Sequence, residues 1–456
     1  MSRTANATPL RASAGRQPAS YVHWVFPAML ALAAVAVLVS GRDLSEQYAQ
    51  LQSSAQARSP VMTLAQRAVS LLLLLLSVHR LARHVFSGAA LPSPVLAFAF
   101  CLYWLTTVAL PAFYGSHRML SHELLYPLIL GLAVLVLTPA EALRVIDACR
   151  TGLLLFMLAG VAMIPIKIGM VLDLSYAQGY IPGLPRLGGL AAHPVAMGML
   201  TLFTLMCLWC RPYPQVWLNR LAWILGLGVL FMAQSKTAWV AFAVCLLLVT
   251  LMRSGGHVWR RATDPRHNLF GVSAALAVIL AVLGVVAVLL FTDTIQQFRN
   301  FFDSPEGAQL ASLTGRDRIW AIATEEFEAS PFFGYGLSLW DAAFRASINM
   351  PNATHGHNQF MDTVARSGGI GAAGLVLYAA VLLFLSLSRA GGTRGLSIAL
   401  FSSLALLSIS EVPLLLLGYG IDIFTHFLLL AALMSAAPQR RTAPAVVPPV
   451  RYRTSP

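Results

Sequence analysis

The segment His355-Gly-His-Asn358 is the strongest candidate for a catalytic centre in this chain. Histidine accepts a proton near neutral pH without a large shift, so His357 or His355 suits general-base work on a hydroxyl. Two His at i and i+2 share a face on a strand but point roughly 200° apart on a helix. Pro351, Thr354 and Gly356 suggest a loop entering a helix at about His357, so only one ring is expected to face a pocket. A bare His-x-His is also a candidate metal pair. No third His, Cys or acid sits at helical spacing with it, however, and no Asp-x-Asp pair exists in the sequence, so no metal and no other cofactor is expected. The plain alternative for His357 is that it caps a helix.

Cations are the second clue. Arg186, Lys236 and one of Arg316 or Arg318 form a set that would suit a diphosphate, whose departure as a leaving group requires preorganised donors. Each alone also reads as an interfacial residue that snorkels toward water. Cys207 and Cys210 have redox-pair spacing but lie in a continuous apolar stretch with no second pair, so they read as buried thiols.

The elements that position these residues are helices in lipid. Of 456 residues, 57% are hydrophobic and 11% charged, where a soluble chain carries about a quarter charged residues. Twelve apolar runs approach the ~20 residues needed to span a bilayer: 24–40, 62–78, 92–111, 121–138, 151–171, 188–209, 221–234, 237–252, 270–291, 369–388, 396–413 and 420–437. The seventh and eighth are split at Gln234-Ser235-Lys236-Thr237, because a single span would bury Lys236 at a cost of about 2.5–3.5 kcal/mol. Placing the N-terminus inside puts 19 of the 31 basic residues, but only Glu141, Asp147 and Asp264 of the acids, on the inner side. The net charge of +13 is therefore mainly an orientation signal, and nucleic acid is not an expected partner.

The expected fold is an all-α integral membrane protein of about 12 transmembrane helices, both termini cytoplasmic, with one large outer loop. Its divisions are a disordered tail (1–22), nine helices (23–291), a helical lid carrying the His motif (292–367), three helices (368–437) and a second disordered tail (438–456). In the lid, Thr314-Gly-Arg-Asp317 and Ser338-Leu-Trp-Asp341 read as helix starts, and a third helix is expected over about 357–366, ending at Gly368-Gly369. Lys167, Asp173, Arg186, Lys236, Arg316, Arg318, both His, Glu411 and Asp422 gather at the outward ends, so any chemistry belongs there. Neither a Walker-type loop nor a cytoplasmic domain is present to handle nucleotides.

The run Arg186-Leu-Gly-Gly-Leu-Ala-Ala-His-Pro194, then Gln234-Ser-Lys-Thr-Ala238, Leu313-Thr-Gly-Arg316 with Trp320, Pro331-Phe-Phe-Gly-Tyr-Gly336 and His355-Gly-His-Asn358, resembles the O-antigen ligase and polymerase superfamily. Such proteins are similar to type C glycosyltransferases. The resemblance implies an inner-membrane enzyme of bacteria with a periplasmic active site and no metal, moving O-antigen from undecaprenyl diphosphate to a sugar hydroxyl of lipid A-core. It implies that His357 is the general base and that Arg186 with Lys236 holds the diphosphate. It prefers Arg316 over Arg318 in the lid, and gives Asn358 and His355 supporting or acceptor-binding places. An O-antigen polymerase or a ligase acting on protein hydroxyls would use the same residues. From another class, a transporter or flippase of a lipid-linked anion would show pathway charges facing both sides, whereas here they crowd one.

Overall fold

The structure is a computed structural model that describes residues 21–45, 60–176, 183–263, 316–351 and 353–438. The ninth apolar run, the first part of the large loop and nearly all of both tails lie outside the described residues. Among the described residues, seven helices are long and apolar enough to cross a membrane and four shorter helices are apolar. Each overlaps one of the other eleven runs read from the sequence. In chain order the helices are α1 (Val25–Ser40), α2 (Pro60–Phe86), α3 (Pro94–Tyr114), α4 (Leu125–Leu135), α5 (Pro139–Ala162), α6 (Pro194–Cys210), α7 (Val216–Ala233) and α8 (Lys236–Thr263). After the loop come α9 (Arg316–Ala329), α10 (Ala342–Ser347), α11 (Gln359–Ser388), α12 (Leu396–Leu407) and α13 (Ile421–Ser435).

The short helices form the centre. In α13 every residue from Phe427 to Met434 is fully buried, and α6 is apolar and buried nearly all round, as expected of a helix with no polar face. Longer helices surround them and expose Leu64, Phe98, Ile224, Leu247 and Phe384 outward, where a soluble protein would place charge. Close approach is set by small residues: a Cβ on Gly374 of α11 would fall 1.9 Å from the Thr106 hydroxyl of α3.

The fifth span begins earlier than its hydropathy suggests. Thr138 and Glu141 form a reciprocal capping box and Pro139 starts the helix, so α5 ends at Ala162 and Lys167 lies exposed beyond it rather than within a span. Glu141 also pairs with Arg80 at 2.8 Å, Asp147 pairs with Arg211 at 2.8 Å, and Arg253 donates to the Arg394 carbonyl. These arginines thus tie neighbouring helix ends together at one end of the bundle.

At the other end, α11 is bent by Gly368, whose φ of 62° is left-handed and whose missing Cβ leaves room for the Phe332 backbone. The Pro331–Gly336 segment lies across this bend: Gly369 N–H donates to the Pro331 carbonyl, Tyr335 N–H to Ala365 and Gly336 N–H to Arg366. The helix end expected at Gly368-Gly369 is present as a break at Gly368, where the backbone leaves the helical region; a second helical stretch runs on to Ser388, and these external bonds replace the broken helical ones. Within the lid, Asp341 rather than Ser338 caps α10 by accepting the Phe344 N–H. Ile319, Ala323, Leu339, Trp340, Phe344, Ala353 and Ala365 make the lid's own small core.

A buried ion pair joins lid and bundle. Arg366 Nε donates to Asp362 Oδ2 at 2.8 Å, its Nη1 donates to the Leu337 and Leu339 carbonyls, and Asp362 Oδ1 accepts the Gly356 N–H at 2.8 Å. Asp362→Ala leaves a guanidinium buried without its counter-ion, so thermal unfolding in detergent is expected to show a loss of about 3–5 kcal/mol.

Candidate active site

The His motif precedes the N-terminus of α11. Asn358 is the cap: its Oδ1 accepts the N–H of Phe360 and Met361 at 2.9 and 3.1 Å. That bonding assigns the Asn358 carbonyl oxygen to the helix, while its amide nitrogen is exposed and lies 3.4 Å from the Ile409 carbonyl. His357 stands just outside the helix with φ of 47°, a left-handed conformation uncommon for a residue with a Cβ. His355 Nδ1 accepts the His357 N–H at 3.1 Å, and Trp320 of α9 holds the loop by donating to the Gly356 carbonyl at 2.9 Å.

This turn overrides the geometric expectation that only one His faces the site. The two imidazole rings lie side by side with centroids 4.1 Å apart. The helical projection fails because the left-handed residue rotates the second ring back toward the first.

A third group joins them from another part of the chain. Glu411, in the turn between α12 and α13, places Oε2 3.3 Å from His355 Nε2, and ligand atoms of His355, His357 and Glu411 all lie within 4.8 Å of one another. The turn is anchored on two sides. Leu414 N–H donates to Gln359 Oε1 at 2.8 Å, and Ser410 Oγ donates to Thr237 Oγ1 at 3.1 Å.

Thr237 brings in the break between α7 and α8. Gln234, with φ of 47°, ends α7, and its side chain donates to the Leu184 and Pro185 carbonyls. Arg186 lies in a two-residue antiparallel ladder opposite Asp173, donates through Nε to the Ala233 carbonyl at 2.9 Å, and lies 4.6 Å over the Tyr176 ring. Arg42, just after α1, donates to the Met170, Gly189 and Ala192 carbonyls, fixing the turn that runs from Arg186 to His193.

The electrostatics follow from burial beside these cations. Burial pushes His357 down to about 3, with His355, Arg316 and His193 adding to the effect. His355 and His193 are each held down at about 4, again chiefly by burial. Burial lifts the Glu411 carboxyl to about 7, against the opposing pull of Arg316 and Arg186. The site therefore contains three neutral imidazoles and a carboxyl titrating near neutrality, within a frame of guanidinium groups. Such a frame attracts an anion.

Of the cations read from the sequence, Arg186 and the half-buried Arg316 act on this cluster. Arg318 is instead exposed and donates to the Ile348 carbonyl within the lid. Lys236 opens α8 with its side chain exposed, while its neighbour Thr237 makes the bond to Ser410. His193 and Arg42 carry no role in the sequence reading; the signal available for both was a polar residue at the edge of an apolar run.

Residues 221–376 match the family model described as O-antigen ligase. This segment belongs to the O-antigen ligase/polymerase superfamily. A search of curated proteins finds no match to the chain. The superfamily segment contains the 234–237 break, Arg316 and both His of the motif, whereas Arg186 and Glu411 lie outside it.

The His355, His357 and Glu411 set has enough donors for a metal, the third of them brought in by the fold from outside the helical spacing of the His pair. The His355 tautomer argues against that use. Because its Nδ1 accepts a backbone N–H, the neutral ring carries its proton on Nε2, the nitrogen facing Glu411. A cation at that nitrogen would require an imidazolate. The arrangement suits sharing of a proton between His355 and Glu411.

Proposed function

We propose that the chain is an inverting, metal-independent glycosyltransferase that ligates O-antigen from undecaprenyl diphosphate onto a sugar hydroxyl of lipid A-core. The observation that carries this reading is His357 itself: its Nδ1 is buried without a hydrogen-bond partner, on a strained backbone, beside Arg316 and the Glu411 carboxyl. An orphaned buried nitrogen of this kind calls for a partner that arrives with substrate.

In the proposed step, the acceptor hydroxyl gives its proton to His357 as its oxygen bonds to C1 of the donor's first sugar. The C1–O bond to the diphosphate breaks, the electron pair leaves with the diphosphate, and the configuration at C1 inverts. Arg186 and Arg316 stabilise the leaving anion, with Lys236 as the third cation proposed to act on the diphosphate. Bound diphosphate also offsets the Arg316 charge that adds to burial in holding His357 down, so the base strengthens when the donor is in place. Glu411 holds His355, and through it the loop of His357. The active site is proposed to face the periplasm of a bacterial inner membrane, with both termini cytoplasmic. The gathering of Arg80, Arg211, Arg253 and Arg394 at the opposite end supports that orientation.

The test is to combine purified protein, undecaprenyl-diphosphate-linked glycan and either lipid A-core, a second donor or an acceptor protein, with chelator present. The expected product is glycan on lipid A-core. Chain extension of the donor, glycosylation of the protein, or loss of activity with chelator would overturn the reading.

A further inference from the structure

A cavity of about 330 Å³ lies between α11 and α12, directly beside the His motif. A single water needs roughly 10–15 Å³ on the same measure, so the space is far larger than a water site. Val376, Ala379 and Leu382 of α11 face Phe401, Leu404 and Ala405 of α12 across it, and Asn358, next to His357, closes one end. Phe360, Val376 and Ile409 are exposed, so the cavity borders the surface that the bundle turns toward lipid.

Its three polar lining residues have partners already. The Asn358 oxygen caps α11, Gln359 bonds Thr363 and Leu414, and the Ser408 hydroxyl bonds the Leu404 carbonyl. Water entering this space would find few groups to bond, whereas hydrocarbon would gain about 0.8 kcal/mol for each CH₂ it buries.

We propose that this cleft holds the proximal part of the donor's polyprenyl chain, so that the diphosphate is presented to Arg186 and Arg316 from the membrane side. This rests on the reading of the site as one that takes a lipid-linked diphosphate. Two features select the donor over the acceptor. The cleft starts one residue from His357, where a single chain attached to the reacting phosphate must begin. It is also small: a volume of about 330 Å³ takes a short length of one chain, and the several acyl chains of a lipid A anchor do not enter together.

The experiment uses the full-length protein in detergent or nanodiscs with undecaprenyl diphosphate that carries a diazirine near the head of its prenyl chain. Photolabel is expected on residues 375–382 and 401–409, and is expected to fall about tenfold in Ala405→Phe, a change worth ~1.4 kcal/mol of binding. In turnover, Ala405→Phe is expected to raise KM for the 55-carbon donor about tenfold with kcat kept, and to leave a methyl-diphosphate-linked donor, which has no prenyl chain, unaffected. A second filling variant, Ala379→Phe, guards against misfolding at one position. Label elsewhere in the chain, equal labelling by a diazirine phospholipid, or labelling unchanged in both filled variants would overturn the proposal. Labelling requires no turnover, so label in the cleft without any transfer would reject the ligase reading alone, and transfer with label elsewhere would reject the cleft alone.

Discussion

His357→Ala is expected to lower glycan transfer by about 10²–10⁴-fold, the usual range for loss of a positioned general base, with expression and thermal unfolding close to those of the unaltered protein. The ring is not part of the helix cap, since Asn358 supplies that bond. Its removal therefore takes away a proton acceptor and relieves a left-handed residue without unpairing α11. His357→Gln keeps a polar side chain but no base, and is expected to be equally inactive. A mutant that transfers glycan at the normal rate would sink the assignment of His357 as base. The same assay read against pH reports on Glu411. Its carboxyl is raised to about 7 by burial. Above that pH it is ionised and favours a proton on the neighbouring imidazoles; below it that support is lost. Activity is thus expected to rise with pH through about 7, and this limb is expected to vanish in Glu411→Gln.

Arg186→Ala is expected to reduce donor turnover on the order of 10²–10³-fold, the effect of deleting one preorganised donor to a developing anion. Arg186→Lys should recover part of it, because lysine restores charge but lacks the planar fork. The residue also bonds the Ala233 carbonyl and lies over Tyr176, so a purely structural role must be separated. The separating readout is product inhibition by undecaprenyl diphosphate, which is expected to weaken with Arg186→Ala at unchanged melting temperature. Normal turnover, or a fall in stability that accounts for the whole loss, would show that the guanidinium only anchors the turn to α7.

By itself the sequence determined the solvent, the helices and the place of the break. The ratio of apolar to charged residues required lipid, and eleven of the twelve apolar runs fall on helices among the described residues. The cost of burying Lys236 separated α7 from α8, and Gln234 in a left-handed conformation marks that break. These are local signals, legible because composition and helical period act over a single segment. Arg186, Arg316 and His357 were legible as unusual residues at one end of the spans.

Tertiary structure decided which of these residues meet. Glu411 reaches His355 only because Gln359 and Thr237 hold its turn, and that turn is far from the His motif in sequence. His355 and His357 share one space because φ at His357 departs from the helix on which the projection of their faces depends. Arg318 donates to a lid carbonyl, and Asn358 caps a helix. The physical reason is common to all four. A helical period fixes direction along one element, whereas a site at the ends of many helices is fixed by how their turns pack. That packing rests on carbonyls, kinks and hydrogen bonds that residue type alone does not reveal.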